Sequence, residues 1–252
     1  MRPYPHRLDL ILLTSIIAGT TAVPSHADTS QIACAPIKDS PAKGCLELSS
    51  AEFERVVSDG ETVVHSGTAK PWPDSTLYAY LDASPDEAAA LFVDYEAGKK
   101  FTDSMLEAIV FECDVPKARR RCVYYSLSVP VISDESYTLT DDLYPYHDGT
   151  GHMIIWNHIN PGRSKAFTGS VRFEALGGIK GGTLMLYYNH VTPSTAIGKI
   201  PGLAGKALKQ GMDFVTAFRE GLMDEKAAKD QRPLRDHLAA LKAMAAEGTK
   251  KK

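Results

Sequence analysis

The sequence holds little that would tie it to nucleic acid or to a membrane interior. Its 28 lysines and arginines are outnumbered by 31 aspartates and glutamates, a formal charge of −3, so nothing draws the chain toward a phosphate backbone. Beyond residue 27 no apolar run approaches the ~20 residues that span a bilayer. Also missing are a G-x-S-x-G nucleophile elbow and an H-E-x-x-H helix. The stretch from Gly177 to Gly182 is glycine-rich, but it lies between two strand-like segments with no helix after it, which fits a hairpin turn better than a phosphate cradle. Cysteine is scarce: only Cys34, Cys45, Cys113 and Cys122, with neither close pair at the C-x-x-C spacing of a zinc site. The residues call for no metal and no cofactor.

What is present begins with an exporting layout. Arg2 and Arg7 precede an apolar run from Leu10 to Ala18, and Ser25-His26-Ala27 is a small-x-small cleavage site. Residues 1–27 therefore read as a signal peptide, and the chain as periplasmic or secreted. Its removal takes away Arg2, Arg7 and Asp9, which moves the charge from −3 to −4. In an oxidising compartment an even cysteine count favours disulfides, and nearest-neighbour pairing gives Cys34–Cys45 and Cys113–Cys122.

The rest divides into three: residues 28–60, an N-terminal segment with a short helix; 61–228, the main body; and 229–252, a helix and basic tail. In the first, Ser49 and Glu52 fit a capping box ahead of Phe53, Val56 and Val57. ETVVHSG and STLYAYLDA read as strands. Ser84-Pro85-Asp86-Glu87 combines an N-cap, a first-turn proline and a reciprocal glutamate, which predicts a helix through Ala88, Leu91, Phe92 and Tyr95. Six alternating segments then follow with short turns between them, from SMLEAIVFEC to GTLMLYYNHV, with Pro130 and Pro145 at positions that demand edges, bulges or ends. The last strand leads through TPSTAIGKIPG into a helix from Leu203 into the 220s, whose stripe comprises Leu203, Ala207, Phe214, Phe218 and neighbours.

This order resembles the START-like (SRPBCC) superfamily, also called the helix-grip or polyketide-cyclase-like fold, in an exported bacterial form. The residues that carry the likeness are LDASPDEAAALFVDYEAGKKF, GTLMLYYNHVTP and IPGLAGKALKQGMDFVTAFREGL. The resemblance implies an α+β fold, a curved antiparallel sheet wrapped around a long C-terminal helix, with a hydrophobic ligand held between them. It equally admits carriers, cyclases or hydrolases, and modules that act through protein partners.

The candidate ligand-binding residues are Trp156 or its strand neighbours such as His158, then Leu186 or Tyr187, Ile200 from the loop, and Leu203, Ala207, Phe214 and Phe218 from the helix. His152, Trp156 and His158 share one strand face by alternation. His147 and His152 flank a turn and suit solvated positions. Arg172 and Glu174 share a face: on the solvated side they form an ordinary cross-strand pair, and on the inner side they become polar anchors together with His190. The loop Thr192–Gly202 mixes isoleucines with glycine and proline, the composition of a lid or of a packed helix lead-in. A lid of that kind could touch a membrane or a donor or acceptor protein. The expected function is to bind and carry a hydrophobic small molecule, a lipid first among the candidates, with an enzyme or an interaction module as alternatives.

Overall fold

The computed structural model describes residues 48–102, 104–114, 119–128, 134–146, 150–160, 164–176, 181–227, 238–239 and 241–243. The expected signal peptide, the Cys34–Cys45 pair, Pro130, His147 and most of the last helix lie outside the described residues.

Helix α1 (Ser50–Ser58) starts on the predicted capping box: the Ser49 hydroxyl accepts from the Glu52 N–H while Glu52 accepts from the Ser49 N–H. Strands β1 (Val63–Ser66) and β2 (Ser75–Leu81) pair antiparallel. Helix α2 (Pro85–Phe92) begins on the same reciprocal motif at Ser84 and Glu87, with Pro85 in its first turn. It does not run on through Tyr95 as the sequence suggested. The chain caps at Val93 and restarts as α3 (Tyr95–Phe101), where the Asp94 carbonyl accepts from the Gly98 N–H.

Six strands follow: β3 (Met105–Phe111), β4 (Arg120–Leu127), β5 (Glu135–Tyr146), β6 (Gly151–Asn160), β7 (Ser164–Ala175) and β8 (Thr183–Pro193). All pair antiparallel in one sheet of order β1-β2-β8-β7-β6-β5-β4-β3. Pro145 falls next to the last residue of β5, where its missing N–H does least harm. Cys113 and Cys122 form a disulfide beside the β3–β4 connection, with their Cα atoms 5.3 Å apart. A four-residue helix α4 (Thr195–Gly198) interrupts the loop before the 25-residue α5 (Leu203–Ala227).

The sheet has two different faces. On the inner one, Leu77, Ala79, Val171, Phe173 and Met185 pack against α2, α3 and the Val215, Phe218 and Leu222 stripe of α5; Leu241 is buried in the same core. On the back, Val56 of α1 covers Tyr78, Leu184 and Leu186. Gly221 lets α3 approach α5 closely, because a Cβ there would overlap the Phe101 ring.

Candidate functional site

Antiparallel register puts directly paired residues on the same face, and three pairings lay one row across the inner sheet. Asp141 of β5 faces Trp156 of β6, Trp156 faces Gly169 of β7, and Gly169 faces Asn189 of β8. The next row runs Leu143, Ile154, Val171, Tyr187. A Cβ on Gly169 would run into the Trp156 indole, so this glycine is what lets the ring lie across β7.

Over this floor the packing is not complete. A cavity of about 440 Å³ lies between the sheet, α2–α3 and α5, within the range that holds small ligands. Its walls are aromatic. Phe92 of α2 stands between floor and roof, with ring centres 6.2 Å from Trp156, 6.1 Å from Phe214 and 6.0 Å from Phe218. Tyr187 lies 5.3 Å from Trp156 and 5.5 Å from Phe214, while Tyr125 and Tyr137 continue the lining at 5.6 Å. Burial raises the hydroxyl pKa of Tyr95, Tyr125, Tyr137 and Tyr187, so all four keep their protons.

Set among these rings are polar atoms with nothing to bond to. Among the described residues, six buried side-chain atoms without a hydrogen-bond partner belong to residues of the cavity wall: Tyr95 Oη, Thr102 Oγ1, Asp141 Oδ1, Trp156 Nε1, His158 Nε2 and Asn189 Oδ1. Asp141 is the most consequential. It is 4% exposed, and burial, with a smaller contribution from the neighbouring Asp142, pushes its carboxyl up to about 7. The Tyr95 hydroxyl approaches closely enough to pull in the other direction but lacks full hydrogen-bond geometry.

Of the residues singled out in the sequence, Trp156, His158, Tyr187, Leu203, Ala207, Phe214 and Phe218 line the cavity. Leu186 does not: it sits on the back of the sheet beneath α1, one residue out of phase with Tyr187. From the loop, Ile197 reaches the cavity, and Ile200 is absent from its wall. Arg172 and Glu174 fit neither sequence reading. They pair at 3.3 Å and are buried, yet on the back face, in register with Leu186 and Leu184. His190 shares that back face, with its ring 3.2 Å from the Thr192 hydroxyl. His152 pairs with Asp86 in the first turn of α2 at 2.6 Å, tying β6 to that helix. The sequence reading passed over Asp141, Asn189, Phe92 and Tyr95. For Asp141 a signal existed, because it alternates with Tyr137, Leu139 and Leu143 on one strand face.

The fold is the START-like helix-grip fold. Similar solved structures include a STAR-related lipid transfer protein from Xanthomonas axonopodis, 15% identical, covering 66% of this chain and 95% of that one with a TM-score of 0.54. Human STARD10 is 13% identical over 75% of this chain and 86% of its own, with a TM-score of 0.52. Human StAR-related lipid transfer protein 5 is 11% identical over 69% and 91%, also with a TM-score of 0.52. No protein-family model matches the chain, and no curated protein matches it.

Proposed function

We propose that this protein is an exported carrier that binds one hydrophobic small molecule, of lipid character, in the cavity between sheet and α5. The observation that carries the reading is the cavity itself: about 440 Å³, walled by aromatic and aliphatic side chains, with six polar atoms left for a ligand to satisfy. Burying apolar ligand surface there supplies the affinity at ~25 cal/mol per Å², and the polar atoms set orientation. The structural likeness to one human and one bacterial protein named for lipid transfer is consistent with this use of the fold. Export is supported by the signal-like N-terminal segment and by the Cys113–Cys122 disulfide.

A buried carboxyl near neutrality also favours a second reading, in which Asp141 serves as general acid or base for an enzyme of the cyclase or hydrolase kind. One experiment separates the two. Protein purified natively from its host is extracted with organic solvent and the extract analysed by mass spectrometry. A stoichiometric, chemically unaltered apolar compound supports the carrier. Pairs of compounds related by loss of water or by hydrolysis, interconverted on incubation, support the enzyme. Protein that comes clean and takes up no lipid from a panel refutes the carrier and leaves the enzyme reading.

A further inference from the structure

The polar groups gathered around Asp141 share one property, which is that each carries a hydrogen. Tyr95 at the start of α3 and Asp141 on β5 are 6% and 4% exposed, both line the cavity, and each holds an oxygen without a partner. The two side chains stand close together but are not hydrogen-bonded to one another. Tyr125, Tyr137 and Tyr187 lie near enough for Asp141 to raise their hydroxyl pKa as well. All four phenols keep their protons, and up to about pH 7 the carboxyl keeps its own. A wall of this kind calls for an acceptor.

An ammonium brings only hydrogens, and a ligand hydroxyl brings one more to place. A buried carboxylate would need a cation, and the lysines of the wall, Lys206 and Lys209, are exposed on α5. A carbonyl oxygen is neutral, donates nothing and offers two lone pairs, one for each of two donors. Resting on the ligand-binding reading above, we infer that the apolar ligand carries a carbonyl group whose oxygen seats between Tyr95 and Asp141. It accepts one hydrogen bond from the hydroxyl and one from the carboxyl. Once Asp141 ionises it can no longer donate, and it draws the Tyr95 hydroxyl to itself, so both donors are lost together.

The test uses the delipidated protein and the fluorescence of N-phenyl-1-naphthylamine, displaced by four competitors of one shape: 2-acetylnaphthalene, 2-isopropenylnaphthalene, 1-(2-naphthyl)ethanol and 1-(2-naphthyl)ethylamine. The first two differ only in a carbonyl oxygen against a CH2 group, so the ratio of alkene to ketone concentration at half displacement reads the hydrogen bonds to oxygen. At pH 5 that ratio should fall about fivefold in Tyr95→Phe and in Asp141→Leu. It should fall by a similar factor in the unaltered protein between pH 5 and pH 9, and stay level in Asp141→Asn, which keeps a donor at every pH. The pH arm needs no substitution in the first protein, so a variant that fails to fold does not remove the test. Other charged or titratable groups border this part of the wall besides the four tyrosines. Arg121, opposite Asp141 on β4, donates to the Arg120 carbonyl at 3.0 Å; Glu135 and Asp142 lie on β5, His158 on β6, and the two lysines on α5. All of them remain in Asp141→Asn. A ratio that drifts with pH equally in that variant, or that ignores Tyr95→Phe, would overturn this inference and leave the binding reading intact. So would an alcohol or amine that outcompetes the ketone. A protein that binds neither probe nor competitor would overturn the binding reading and this inference together.

Discussion

Asp141 makes the ligand-free protein pay a pH-dependent cost that can be measured without knowing the ligand. In the folded chain its carboxyl holds its proton up to about 7, against an ordinary value near 3.8. Between those two limits the folded state binds more protons than the unfolded state, so stability falls as pH rises, the reverse of the usual behaviour of a salt-bridged aspartate. Below pH 4 the penalty is absent; above pH 7 it is complete, at most ~4 kcal/mol at roughly 1.4 kcal/mol per pH unit. Asp141→Asn keeps the shape and removes the charge. Other groups face Asp141 from the surrounding elements: Tyr95 on α3, Arg121 and Tyr125 on β4, Asp142 and Tyr137 on its own strand, Trp156 and His158 on β6, and Tyr187 on β8. They are common to both proteins and largely cancel in the difference. Urea denaturation of both, delipidated, from pH 4 to pH 8 should give curves that coincide at the acid end and separate steadily to favour Asp141→Asn, by 2–4 kcal/mol at pH 8. A difference that stays flat across this range would show that Asp141 is solvated or already paired.

Three further outcomes follow from the packing. Gly169→Val should displace the Trp156 indole and cost ~1–3 kcal/mol; in a Trp72→Phe background, unchanged tryptophan emission would contradict the close approach. Arg172→Met removes the guanidinium 3.3 Å from the buried Glu174 carboxylate and should cost ~3–5 kcal/mol in urea, whereas the same change at the exposed Arg55–Glu61 pair should cost under ~1 kcal/mol. Cys122→Ser opens the loop closed by the disulfide and should lower stability by ~2.5 kcal/mol; a loss that appears equally in the oxidised and reduced wild-type protein would mean that the bond does not form in solution.

Much of the architecture was legible because it is written locally. The Ser49/Glu52 and Ser84/Glu87 boxes start helices where they stand, the two-residue period marks each strand, and the three- to four-residue steps from Leu203 to Leu222 mark α5. What alternation cannot decide is which of two faces points inward when both are covered. Along β8, Leu184 and Leu186 are buried beneath α1 as completely as Met185 is beneath α5, so Leu186 and Tyr187 look alike from the sequence. The same ambiguity hid the place of Arg172 and Glu174, whose pair reads as solvated or cavity-lining according to an orientation fixed only by distant elements. The break between α2 and α3 was equally silent, because Phe92 and Tyr95 sit at helical spacing whether or not the helix continues.

Asp141 is the instructive case, since its signal was present and lacked only a frame. An aspartate spaced at two-residue steps from Tyr137, Leu139 and Leu143 cannot face a collapsed core without an uncompensated charge, and it cannot face water if its alternating neighbours are buried. A strand that carries such a residue must therefore border something that is neither core nor solvent. Asn189 between Tyr187 and Val191 and His158 beside Trp156 repeat the pattern on β8 and β6. Three strands that independently place a polar side chain on an otherwise apolar inner face, turned to the same side by the register, mark a cavity more specifically than any one of their aromatic neighbours does, because aromatics would fill an ordinary core just as well.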